Sequence, residues 1–414
     1  MRDEVATARR AAKATQQRFA GGRGGEGDGS GVQLVRKNGL AGRTIHVRRP
    51  ILLHFARRAL RRRRREPVGT NQNGGMQATM FHGPGDVRWE EAPDPELRAP
   101  HQAIVQVIAG CVCGSDLWHY RGISRLGRVP RTIGHECIGE VVEVGTEVRR
   151  IRVGDRVVVP FCQGCGRCAN CLAGVESACV EYHGTASGQA ELTVASHADQ
   201  SLAVVSNGDP ALLPALLALS DVMATGWHAA VSAKVRPGST VVVVGDGAVG
   251  LCGVLAASTL GAERIIAMSR HESRQQVARR FGATHLVAER GDDAAAAIAE
   301  LTDGVGADAV LECVGTAESL TTAFAAARPG ATVGVVGVPY GGGQFPAFRA
   351  FEKNIGLAGG VAPVQRYLPD LLARVEAGTL DAGPVFDRTL PMAEVAEAYR
   401  LMDEREAIKV MLLP

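Results

Sequence analysis

The sequence predicts an α/β protein: a β-rich domain followed by a doubly wound parallel sheet. Three observations carry this. Short apolar runs broken by glycine and proline fill residues 76–207, and from Arg236 strand-like and helix-like segments alternate, the pattern of βαβ units. Glycine is abundant, at 51 residues, while aromatics make up only 4%, which suits tight turns between small buried elements. At 414 residues and 46% hydrophobic, the chain has material for two or three domains.

Residues 1–75 do not read as a folded domain. They carry 18 Lys+Arg against 5 Asp+Glu, a glycine-rich run (Gly21–Gly31), the block Arg61–Arg65 and no sustained apolar period. The piece Ile51–Leu60 is too short to span a bilayer. A basic tail for nucleic acid or lipid and an Arg-rich transit peptide are two readings of this segment. A translation start placed ahead of the true one is a third and simpler account, because MQATMFHGPGDVRWEEAPDP from Met76 reads as a natural first strand. The other 339 residues hold 28 Lys+Arg against 38 Asp+Glu, a balance that argues against nucleic-acid and anionic-membrane partners.

In the β-rich part, Ala103–Ile108, Val141–Val144 and Arg156–Val159 are strand candidates. The second part reads as strand Thr240–Val244, helix Ala248–Leu260, strand Arg264–Met268 and helix Glu272–Phe281, then strands Ala307–Glu312 and Ala331–Val336. The apolar stretch Val241–Leu260 contains Asp246 and four glycines, so it predicts a buried strand–turn–helix rather than a membrane span. A helix Pro369–Ala377, with proline in its first turn, and a closing strand Ala407–Leu413 that folds back on the first domain complete the chain. The expected domains are residues 76–222, 223–354 and a return to the first domain over 355–414.

The run Val241–Val244 leads into Gly245-Asp246-Gly247-Ala248-Val249-Gly250. A lone G-x-G-x-x-G is weak evidence, but following a strand and opening a helix it marks a dinucleotide site. The first glycine turns the chain, the second lets a pyrophosphate approach, and the helix N-terminus offers it free N–H groups. An NAD site tends to place an acid about 20 residues on. Here Ser269-Arg270-His271 stand there, without an acid, and Arg270 suits a 2′-phosphate, with Arg274 as a second charge. NADP is therefore expected over NAD. The other reading leaves Arg270 solvated and brings Glu272 to the ribose.

Five of the ten cysteines fall within 162–179, which points to metal ligation in a reducing compartment, the cytoplasm, more than to disulfides. Cys165, Cys168, Cys171 and Cys179 form C-x2-C-x2-C-x7-C, a thiolate set for a closed tetrahedral zinc, with Cys162 a bystander. Further upstream stand Cys113-Gly114-Ser115-Asp116 and, about twenty residues later, Gly134-His135-Glu136.

Taken together, CGSD at 113–116, GHE at 134–136, the four-cysteine loop and GDGAVG at 245–250 resemble the zinc-dependent medium-chain alcohol dehydrogenases over essentially all of 76–414. The resemblance extends to the bacterial alcohol, polyol and formaldehyde dehydrogenases. It implies a GroES-like catalytic domain and a Rossmann domain. It also implies that Cys113 and His135 hold a catalytic zinc, with Glu136 beside it. The family's third ligand precedes a Thr-Gly pair, here Asp221 ahead of Thr225-Gly226, although an aspartate before a helix also serves as an N-cap. Thr225 then belongs with the cofactor residues, and Ser115 stands where the family has its proton-relay hydroxyl. Relatives continue that relay with a histidine five residues after the cysteine. This chain has Trp118 there and His119 next, so His119 is the candidate and Trp118 is expected to narrow the substrate pocket. The implied partners are a small alcohol or its carbonyl product and a second copy of the chain, as homodimer or homotetramer. A polyol, formaldehyde or amino-alcohol enzyme of the same fold is one alternative; a non-catalytic dinucleotide-binding protein is another.

Overall fold

The computed structural model describes residues 75–124, 126–340 and 345–414. The expectations for the basic N-terminal segment lie outside the described residues.

The body opens as the hairpin Met76–Gly83 and Asp86–Ala92. The main β-rich sheet is built around Ala103–Cys111, which pairs antiparallel with Cys137–Val144 and Leu192–Ala195. Its first residues, Ala103–Val107, are buried apart from Gln106, and so is Arg156–Val159, which pairs with Cys137–Val144, apart from Arg156. The strands run longer than expected at Cys111 and Cys137. The closing strand, Val410–Leu413, pairs antiparallel with Cys111 and Gly110, so the chain's last residues return to the first domain.

The second sheet is six-stranded and parallel. Its order is His285–Val287, Arg264–Met268, Thr240–Val244, Ala307–Glu312, Ala327–Val335, Gly356–Gly359. Sequence order reverses between Thr240–Val244 and Ala307–Glu312, the switch point at which a doubly wound sheet opens a crevice for ligand. Val241–Val244 is buried on both faces, as a central parallel strand requires. The sixth strand, Gly356–Gly359, lies beyond residue 354, where the sequence reading ended this domain.

Two helices fix the geometry of the crevice. Ala248–Thr259 starts straight after the glycine turn, with Gly247 as its N-cap. Val222–Ser232 crosses it so closely that a Cβ on Gly226 would stand 2.5 Å from the Gly253 nitrogen. That contact seats Asp221 and Thr225, on the earlier helix, beside the dinucleotide turn.

The expected helix at Pro369 is corrected. The helix is Val364–Glu376, with Pro369 inside it rather than in its first turn. The missing proline N–H costs stability, but Val364, Leu368, Leu371, Leu372 and Val375 bury one stripe, and that burial outweighs the loss. The strand expected at Ala331 begins at Ala327, through a register shift opposite Ala307–Ala309. Val241–Leu260 is a strand–turn–helix, and among the described residues no single helix is long and apolar enough to cross a membrane.

Candidate active site

Pairing of Gly110 with Cys137 brings the end of one strand against the start of the next. Cys113 and His135-Glu136 flank that junction, which is why Cys113 and His135, 22 positions apart in sequence, meet. Asp221 reaches them from the head of its helix. One donor atom from each of Cys113, His135, Glu136 and Asp221 lies within 4.8 Å of the others. Asp221 Oδ2 is 3.3 Å from His135 Nε2 and 3.6 Å from Cys113 Sγ. A tetrahedron with bonds of roughly 2.0–2.3 Å has edges of about 3.3–3.8 Å, so the donor set fits zinc. The capping role weighed for Asp221 is not taken up: it occupies the N-cap position, but its side chain caps no helix N–H. Its Oδ1 instead accepts a 2.6 Å hydrogen bond from the Thr225 hydroxyl.

Two supporting residues were missed in the sequence. Asp116 Oδ1 lies 3.2 Å from His135 Nδ1, while its Oδ2 accepts the Cys113 N–H at 3.0 Å and the Gln189 amide at 3.3 Å. A carboxylate on the far nitrogen fixes a ligand histidine's ring and tautomer. The CGSD motif itself carried that signal, since Asp116 follows Cys113 by three. Lys409 is the other. Fully buried, it sets its ammonium 2.6 Å from Glu136 Oε1 and donates to the Val112 carbonyl at 3.2 Å. Nothing local in the sequence pairs positions 273 apart.

Charge is concentrated here. Burial opposes the His135 imidazolium, yet Asp116 and Cys113 lift it well above the usual histidine range. Burial raises the Cys113 thiol, and Glu136 and Asp221 add to that. Glu136 is also raised by burial, against the pull of Lys409, and its Oε2 is buried without a hydrogen-bond partner. An orphaned carboxylate oxygen beside a thiol, an imidazole and a second carboxylate is what a divalent cation would satisfy.

In the cysteine loop, Cys168 Sγ is 3.5 Å from Cys171 Sγ and 3.9 Å from Cys179 Sγ, near the edges of a zinc–thiolate tetrahedron. The N–H groups of Cys165 and Glu181 both point to Cys179 Sγ, at 3.2 and 3.3 Å. Hydrogen bonds from the backbone at Cys171 and Val180 draw the Cys168 thiol down to about 6, whereas burial pushes Cys171 up to about 12. All ten cysteines are unpaired, so the disulfide reading of the loop is not what the structure shows. Cys162 faces away and donates to the Ala362 carbonyl.

A cleft of ≈ 1460 Å³ joins the donor set of Cys113, His135 and Asp221 to the glycine turn. Cys113, Ser115, His135, Asp221 and Thr225 line one part of it, and Gly245, Gly247, Ala248, Val249 and Arg270 another. Gly245 adopts φ +113°, open to glycine alone, and a Cβ on Gly250 would stand 2.0 Å from the Gly245 oxygen. Arg270 is exposed at the cleft, while Ser269 is fully buried and donates to Asp246 Oδ2 at 2.8 Å. Glu272 is exposed at the start of its helix. Ser115 Oγ is 3.4 Å from His135 Nε2. His119 is not joined to Ser115 by a hydrogen bond. Its Nδ1 lies 3.2 Å from the Ser124 carbonyl, and it lines a second cavity of ≈ 300 Å³ that shares His135, Gly184 and Thr185 with the main cleft. Trp118 does line the main cleft, with its ring centroid 5.4 Å from that of Tyr340.

A buried zinc-type donor set opening on a dinucleotide crevice defines the class as a metal-dependent, nicotinamide-linked oxidoreductase. Residues 99–206 match the alcohol dehydrogenase GroES-like domain and residues 248–377 the zinc-binding dehydrogenase family. A "Probable zinc-binding alcohol dehydrogenase" of Mycobacterium tuberculosis is 38% identical over 354 residues, covering 82% of this chain and 89% of that protein. The chain belongs to the zinc-dependent medium-chain alcohol dehydrogenases. Alcohol dehydrogenase TADH from Thermus sp. ATN1 is structurally similar at TM-score 0.75 and 31% identity, covering 82% of this chain and 99% of that one. Benzyl alcohol dehydrogenase from Acinetobacter calcoaceticus gives 0.73 and 25%, with the same coverage. The protein is thus a zinc-dependent alcohol dehydrogenase that acts on small-molecule alcohols with a nicotinamide cofactor.

Proposed function

We propose that the enzyme reversibly oxidises a small primary or secondary alcohol with NADP in preference to NAD. In this reading Cys113, His135 and Asp221 hold the catalytic zinc with Glu136 beside it, and Cys165, Cys168, Cys171 and Cys179 hold a structural zinc. The observation that carries it is the convergence of the first donor set on the wall of the cleft that also contains the glycine turn. When bound, zinc supplies Lewis acidity to the alcohol or carbonyl oxygen and the nicotinamide supplies or accepts hydride.

The chain's own residues do the rest. Asp116 holds His135 in one orientation, and Thr225 fixes Asp221. Ser115 Oγ, on the cleft wall, takes the alcohol proton and passes it to water or to a cofactor hydroxyl. Trp118, Tyr340 and Phe161 line the cleft and give it an apolar, aromatic wall that favours small or flat alcohols over polyols. Arg270 offers an exposed guanidinium to a 2′-phosphate.

The four-thiolate loop fits a reducing compartment, and the cytoplasm is the proposed location. A homodimer is proposed through the sheet edge at Gly356–Gly359, where Leu357 is half exposed and Phe348 and Phe351 lie open nearby.

The test measures zinc per chain and alcohol oxidation with each dinucleotide, in the full chain and in Cys113→Ser. About two zinc ions, faster turnover with NADP and an inactive variant that has lost one zinc support the reading. One zinc without turnover removes the catalytic assignment; two zinc ions with faster NAD turnover remove the role given to Arg270.

A further inference from the structure

The sequence around the second strand holds no acid at the place where a ribose-binding carboxylate is expected, yet the fold delivers one there from elsewhere. Ser269 occupies that place and is completely buried, so its hydroxyl cannot meet a ligand. It donates instead to Asp246 Oδ2 at 2.8 Å, and Asp246 is the residue between the first two glycines of the turn. A carboxylate therefore sits one hydrogen bond from the usual position of the acid, partly exposed and lining the cleft.

Arg274 holds it there. Its guanidinium lies 3.6 Å from Asp246 Oδ1 and donates to the Asp246 carbonyl at 3.1 Å and to the Ala407 carbonyl at 3.2 Å. Arg274 is 8% exposed and lines the cleft, with one N–H of each terminal nitrogen held by a carbonyl. Of the two arginines expected to receive a 2′-phosphate, Arg274 is paired with Asp246 and the Ala407 carbonyl, and Arg270 is the exposed one. Each Asp246 oxygen keeps lone pairs beyond those used by Ser269 and Arg274.

We infer that Asp246 reads the 2′ position of the adenosine ribose, accepting a hydrogen bond from a free hydroxyl and repelling a phosphate. Asp246 and Arg270 then oppose each other across one subsite, and their balance sets the ratio in which NAD and NADP are used. The inference rests on the dinucleotide reading of the cleft, but it holds whichever cofactor the native enzyme prefers.

The test is calorimetric titration of the zinc-loaded full chain with ADP-ribose and with its 2′-phosphorylated form, so that no turnover is needed. Asp246→Asn keeps the shape and an acceptor for Ser269 while removing the charge. The ratio of affinities, 2′-phosphorylated over unphosphorylated, is expected to rise about tenfold, and the rise to shrink in high salt. Because both ligands bind one preparation, partial unfolding cancels in the ratio. A ratio that stays within about twofold of the native value in low salt overturns the inference. Arg270→Ala is expected to lower the same ratio. If it does not while Asp246→Asn raises it, the role of Arg270 fails and that of Asp246 stands. If the native chain binds neither ligand, the dinucleotide reading and this inference fall together.

Discussion

Replacing Lys409 with methionine removes an ammonium from one of the least accessible places in the protein. Lys409 and Glu136 are both fully buried, and the pair is 2.6 Å apart. At an effective dielectric of 20, opposite charges at that spacing attract by about 6 kcal/mol, much of it offset by the cost of burying both groups. The variant loses that attraction and leaves the carboxylate buried and uncompensated, which in comparable pairs costs about 3–5 kcal/mol. Methionine fills the space of the lysine stem, so little of the loss comes from a cavity. Urea unfolding after the zinc has been removed by chelation, so that no cation beside Glu136 takes the place of the ammonium, measures it by far-ultraviolet circular dichroism. Adding Glu136→Gln to the same chain removes the stranded charge and is expected to recover a substantial part of the loss. A single variant that loses less than about 1 kcal/mol, or a double variant no more stable than the single, refutes the reasoning about buried charge.

Two further outcomes are expected. Asp199 accepts N–H groups from Arg149, Arg150 and Ile151 at 2.7, 2.8 and 3.0 Å, and although burial opposes its charge these bonds hold the carboxyl below its usual value. Its contribution is therefore complete above an unfolded value of about 3.9 and lost as pH falls through the lower folded value, so Asp199→Asn should cost about 2 kcal/mol at pH 7 and progressively less at acid pH, as the folded carboxyl takes up its proton. A destabilisation in urea that stays the same from neutral to acid pH counts against it. Cys168→Ser opens the thiolate loop while leaving the catalytic donors in place. Zinc per chain, by atomic absorption, should fall from about two to about one, and a count that stays near two shows that the four thiols do not share an ion.

Much of the architecture was legible because it depends on local pattern. A buried apolar run, a glycine turn and an apolar helix in direct succession specify strand, turn and helix. Thr240–Val244, Arg264–Met268, Ala307–Glu312 and Arg156–Val159 have the bounds read from the chain. The four-cysteine loop was legible for the same reason, its cysteines lying within fifteen residues. Helix starts were less so: Pro369 looked like a first-turn residue because propensity is local, whereas the helix begins at Val364 to bury an apolar stripe.

The tertiary structure alone decided which distant charges meet. By itself the sequence determined the two-part α/β fold, the two donor sets by residue type, and the dinucleotide turn. It could not show that Asp221 spends its second oxygen on Thr225 rather than on a helix cap, or that His119 lines a second cavity and Ser115 the main cleft. Nor could it place Lys409 on Glu136 or Asp246 against Ser269. The reason is physical: periodicity and turn chemistry act over a few residues. Electrostatic partnership is set by which strand ends and helix heads the packed core brings within about 4 Å, where Coulomb energy and hydrogen bonding become strong.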